Sequence, residues 1–141
     1  MLADLNEPEW TATAMIGLGH LAELSGDLDS AEFCHRRAWQ IAPGQAAALE
    51  GLACVAAARA DVTAAARLLG AASWWRGQRH RPISRLELLD AQRAEEPARG
   101  LLGDDAYEEA YSAGADGDLG RALSAGARPG TSGCSSTKDP R

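Results

Sequence analysis

Four side chains in the first half of the chain, His20, Cys34, His35 and Cys54, belong to the types that ligate zinc. Their spacing argues against a shared ion. Cys34 and His35 are adjacent, and adjacent positions on a helix point about 100° apart. His35 is expected to be a partly buried, hydrogen-bonded histidine, and the cysteines small buried hydrophobes. No metal and no cofactor is expected. A second cluster, Trp74 and Trp75 followed by Arg76, Arg79, Arg81 and Arg85, is the only stretch both basic and aromatic. Bases could stack on the indoles while guanidinium groups meet phosphate, which makes a nucleic-acid-contacting domain one alternative reading. The structural account sets one Trp in the core, the other over a helix end, and the arginines at the negative C-terminal pole of that helix. Three carboxylate pairs, Glu95-Glu96, Asp104-Asp105 and Glu108-Glu109, complete the candidates. Adjacent carboxylates on a helix diverge, and such runs are usually solvated faces or helix starts. The chain has no GxSxG, HExxH or GxxxxGK[ST] pattern. It is read as not an enzyme; a small helical enzyme is the least supported alternative.

The elements that position these residues follow from composition. The 141 residues suffice for one domain. Aromatic residues make up only 5% of the chain and alanine supplies about a fifth of it. Alanine favours close-packed helices and gives strands little to bury, so an all-α protein is expected and a barrel or sandwich excluded. Fourteen basic residues against twenty acidic ones leave a net charge of −6, which removes the simplest electrostatic case for phosphate binding. Three cysteines without a CxxC pair indicate reduced thiols. With no basic leader after Met1 and no apolar run near 18 residues, a cytoplasmic chain with no membrane partner is expected.

Sliding the chain on itself by 34 residues brings two segments into register. Gly17-Leu18 falls on Gly51-Leu52, Ala22 on Ala56, Asp27 on Asp61, Ala31 on Ala65 and Ala38 on Ala72. Gly19 and Ala53 are small where the helices of one hairpin cross, because a larger Cβ substituent would push the axes beyond roughly 8 to 10 Å. Gly26 can end a helix in the left-handed conformation and Asp27 can cap the next, which makes a short αα-hairpin turn. Pro43-Gly44 ends the second helix. Helices are predicted near residues 9–25, 29–42, 45–59 and 63–78. A fifth should start at the capping box Ser84 to Glu87 and be kinked or ended by Pro97 with Gly100. A short one from Ala106 to Ala113, capped by Asp104 or Asp105 and closed by Gly114, and a weak turn from Leu119 to Ala125 should follow. Trp10 and Trp39 should pack between helices.

The 34-residue period and the positions Leu18-Gly19, Ala31, Ala38 and Pro43 resemble the tetratricopeptide (TPR) family. Met15, Ala22 and His35 depart from its aromatic positions, and the second copy, Ala46 to Arg79, has Gly77 where its proline falls. A narrower resemblance lies in Leu49 to Ala53, Ala64 to Ala72, Leu102 to Tyr107 and Tyr111 to Gly114. These stretches are similar to the C-terminal helical region of large actinobacterial LuxR-type ATPase regulators. The resemblance implies a TPR-like antiparallel helix-hairpin stack, a fragment of an α-solenoid. Two degenerate hairpins would occupy residues 1–79 and a capping helical segment 80–125, while residues 126–141, which have no apolar periodicity, are expected to be a disordered tail. It further implies a detached or shortened sensor and scaffold segment that binds neither ATP nor DNA by itself.

In that family the first helix of each hairpin lines a concave groove. The groove positions here are Ile16, His20 and Glu23 in one copy and Glu50, Cys54 and Ala57 in the other. Small and apolar residues mixed with two carboxylates suit an extended or helical peptide carrying a cation. Further helices covering the groove are the competing outcome. The expected role is therefore a non-catalytic protein-protein interaction module with a regulatory or scaffold function, its partner a protein or peptide, with self-association possible through exposed end helices. Charge reversal at Glu23 and Glu50 is expected to weaken capture and leave helicity unchanged.

Overall fold

The computed structural model describes residues 7–79 and 85–125. These form helices α1 (Glu7–Leu24), α2 (Leu28–Ile41), α3 (Ala46–Ala58), α4 (Val62–Arg79), α5 (Arg85–Leu102), α6 (Asp104–Gly114) and α7 (Asp118–Ala125), with no strand among the described residues. No described helix is long and apolar enough to cross a membrane. The tail expected over 126–141, Cys134 and the expected start of the fifth helix at Ser84 lie outside the described residues.

The two hairpin turns repeat bond for bond at the 34-residue spacing. Gly26 takes a positive φ of 84°, and the Asp27 N–H then donates back to the Ala22 carbonyl at 2.9 Å. Asp27 caps α2, accepting from the Ser30 N–H at 3.1 Å. One period on, Ala60 takes a φ of 64°, the Asp61 N–H donates to the Ala56 carbonyl at 2.9 Å, and Asp61 accepts from the Ala64 N–H at 3.3 Å. An L-residue with a Cβ pays for that left-handed backbone, so the second copy keeps the turn with the wrong residue.

Small side chains set the helix spacing. Ala31, Ala38, Ala65 and Ala72 are all buried, as are Gly19 and Ala53. One core gathers Ile16, Trp39, Leu49 and Leu52 between α1, α2 and α3, and a second gathers Ala53, Leu69, Ala94, Ala98 and Tyr107 between α3, α4, α5 and α6. α6 packs chiefly on α4, where the backbones touch: a Cβ at Gly70 would overlap the Tyr111 carbonyl, and one at Gly114 the Arg67 carbonyl. α7 folds back on α2 and α4, and Trp39 Nε1 donates to the Gly120 carbonyl at 2.9 Å.

Several expectations are corrected. α5 runs through Pro97 and Gly100 to Leu102. Proline forfeits one hydrogen bond and crowds the carbonyl four residues back, but the fully buried Ala94 and Ala98 on either side hold the helix in register. α6 starts at Asp104 behind Gly103, whose φ is 86°, and neither Asp caps it through its side chain. Gly114 is its last residue and a packing contact rather than a terminator. Trp10 is 68% exposed on the outer face of α1, which no helix among the described residues covers.

Replacing Ala60 with glycine is expected to stabilise the fold by about 1 kcal/mol by relieving the left-handed residue. Urea denaturation should show it as a higher midpoint with an unchanged slope, and the same change at the ordinary helical residue Ala58 should destabilise instead.

Candidate functional site

The groove residues come together, and a helix of the same chain lies on them. Going from Glu50, joined to Glu87 through Arg76 of α4, to Cys54 on α3, and from His20 to Glu23 on α1, the residues met on α5 advance from Glu87 through Asp90 to Arg93. α5 therefore runs parallel to α1 and α3 as a third member of their row. Ile16, Glu50 and Cys54 are buried, Glu50 to 2% exposure, and Ala57 is half-buried against the second core. Of the two outcomes left open for the groove, cover by a further helix is the one seen, with His20, Glu23 and Ala57 partly exposed beside it.

Charge holds the contact. Arg93 forks onto Glu23 at 2.9 and 3.4 Å and reaches Asp90 on its own helix at 3.3 Å. His20 Nε2 lies 3.2 Å from the Asp90 carboxylate. The Cys54 thiol donates to the Asp90 carbonyl at 3.3 Å. Arg76, from α4, bridges Glu50 at 2.6 Å and Glu87 at 2.8 Å. The cationic side chain expected of a groove ligand is thus Arg93, supplied in cis. Charge reversal at Glu50 would press a guanidinium against Arg76 in the interior, so it cannot leave the fold unchanged as expected.

Four carboxylates here face two arginines, and His20 answers the imbalance. Its hydrogen bond to Asp90, with the charges of Asp90 and Glu23, raises its pKa against the opposing cost of burial. Burial works to raise Asp90, yet the bonds from His20 and Arg93 prevail and hold it below the usual carboxylate range. Burial also pushes Glu50 up, and Arg76 recovers only part of that. The Cys54 thiol is pushed up to about 12 by burial, which makes it inert toward electrophiles.

His35 departs from expectation. It is fully buried, and neither ring nitrogen has a hydrogen-bond partner. The ring is pinched between Gly19 and Gly51: a Cβ at Gly19 would lie 2.6 Å from it, and one at Gly51 closer still. The His20 ring meets it edge-on at 5.0 Å. Burial, with His20 beside it, drives the His35 pKa down to about 4, so the ring is neutral. Among the described residues no group of three or more His, Cys, Asp or Glu side chains could hold a metal ion.

The basic stretch is divided. Arg76, one of the four arginines of the possible basic patch, is engaged by Glu50 and Glu87. Arg85 is exposed, while Arg81 and the side chain of Arg79 lie outside the described residues. Trp75 meets Trp39 edge-on at 5.3 Å and Trp74 at 5.0 Å, and Arg121 sits 5.7 Å above Trp74, so the indoles serve one another. Each carboxylate pair sends its first member to Arg99: Glu95 at 2.7 Å, Asp104 at 3.2 Å and Glu108 at 2.7 Å. Arg99 also stacks on Tyr107 at 4.2 Å. The residues that sequence reasoning missed, Glu87, Asp90 and Arg93, carry a signal in their three-residue spacing, which aligns them on one helix face.

Two outcomes are expected. Because the folded pKa of His35 lies below its ordinary 6.5, the unfolded chain binds the proton first, and stability falls as pH drops from about 6.5 to 4, by up to about 3 kcal/mol. His20, raised, adds stability that is present below 6.5 and lost as pH climbs through its folded pKa. Chemical denaturation across pH 4 to 8 should show a maximum, and His35→Phe should flatten the acid side only. Arg76→Met, which leaves Glu50 buried without its cation, should cost about 3 kcal/mol by the same measurement, with Glu50→Gln in the same chain restoring part of it. No protein-family model matches the chain, and neither a curated protein nor a solved structure does.

Proposed function

We propose that this chain is a non-catalytic protein-interaction module, a TPR-like stack of helical hairpins acting as the regulatory or scaffolding segment of a bacterial transcriptional regulator. The observation that carries the reading is the recurrence of the hairpin turn, hydrogen bond for hydrogen bond, 34 residues apart. Units that recur in this way bury their faces against neighbours, and their outermost faces remain for partners. Trp10, Leu21, Leu24 and Phe33 at one end, with Leu89 on α5, supply the exposed apolar surface such a module needs. A nucleic-acid role has less support, since Arg76 is engaged internally and the net charge is −6. A cytoplasmic site of action accords with the free thiols Cys34 and Cys54.

The reading is tested with a photo-crosslinking amino acid placed singly at Leu21, Phe33, Leu89 and, as a control, the exposed polar Glu109, in the full chain expressed in an actinobacterial cell. Discrete protein adducts are expected from at least one apolar position and none from Glu109. Adducts no stronger than the control at all three positions, or adducts to nucleic acid alone, would overturn it.

A further inference from the structure

Among the described residues nothing covers the outer face of α1, a copy of a face that the same chain fills one repeat later. On α3, Ala48, Gly51, Leu52 and Val55 are buried, and the His35 ring of α2 presses into the notch that Gly51 leaves. Glu32 and Arg36 of α2 line one pocket together with Leu52 and Val55. Thirty-four residues earlier stand Ala14, Gly17, Leu18 and Leu21. All four are exposed, Leu18 to 53% and Leu21 to 61%, and nothing lies within 4 Å of where a Cβ on Gly17 would be. Trp10 and Leu24 continue the stripe in both directions.

The internal copy also shows which helix covers such a face. α2 offers alanine, then a planar ring four residues on, then alanine three residues further: Ala31, His35, Ala38. The ring enters the glycine notch and the alanines let the axes close. Arg59, which ties α3 to Asp29 and Glu32 of α2, has Ser25 as its counterpart on the first hairpin, so no carboxylates are required of an incoming helix. Shape and apolar contact carry the recognition.

We propose that the α1 face docks the second helix of a helical hairpin in a partner protein, a helix patterned small, planar ring, small, with its ring seated at Gly17. This rests on the reading of the chain as an interaction module and adds one α2-like helix to the end of the stack. The probe is a synthetic peptide of residues 28–41, held helical by a hydrocarbon staple joining positions 33 and 37, both on its exposed side. Titrated calorimetrically into the full chain, it should bind saturably. Gly17→Leu should weaken binding at least tenfold while the thermal midpoint stays level or rises, since the site is open and leucine is the better helix former. His35→Ala in the peptide should weaken it similarly. Equal binding by the Gly17→Leu chain, or no saturable binding by wild type, overturns the proposal. So does sedimentation showing a dimer that Leu21→Glu abolishes and the peptide does not displace, because the occupant is then a second copy. Crosslinks at Leu89 or Phe33 alone would leave the interaction role standing while this proposal fell.

Discussion

A single imidazole decides how the first three helices meet. The His35 ring lies where α1, α2 and α3 converge, with glycine on both sides of it. No other residue at positions 19 and 51 leaves space for the ring, so the close approach of two hairpins is fixed by two absent side chains and one planar one. The arrangement costs two buried nitrogens without hydrogen bonds, a penalty of about 1–3 kcal/mol for each group. Apolar burial and dense packing of three helices offset it, since a flat ring fills a gap that a branched aliphatic side chain would not.

Beyond that clamp the structure changes character. The α2–α3 contact is apolar with ion pairs at its margin, whereas α5 is held over the row by a cluster of half-buried charges. Partly buried pairs of this kind contribute modestly to net stability but strongly to register, because a shift of α5 would strand a carboxylate in the interior. Arg93 and Arg76 each answer two acids, one on the row and one on α5. The result is a helix located by electrostatic matching on a surface of small residues.

Local features were legible in the sequence. Gly26 and Asp27 foretold the turn, the alanines foretold the crossings, and Gly19 foretold the narrow approach. The same rules failed where a distant element decides the outcome. Nothing near Pro97 says that Ala94 and Ala98 will be clamped on both sides, and nothing near Trp10 says that its face lacks a neighbour. The helix that lies over the groove residues comes from about 70 residues away, beyond the reach of helical periodicity. Glu50 illustrates the limit: its type suggested a surface anion, and only Arg76 on the next hairpin makes its burial tolerable.

The tie between Trp39 and Gly120 spans 81 residues and fastens the last described helix to the first hairpin. Most other contacts are between successive helices, which favours rapid folding from within each hairpin, whereas closing so long a loop is entropically slow to come. Docking of α7 therefore carries a loop-closure cost that the hairpins themselves do not. Because Gly120 seats directly beneath Trp39 and Trp75, indole emission is a built-in optical reporter of that closure, distinguishable from Trp10, whose solvent-facing ring is open to an aqueous quencher.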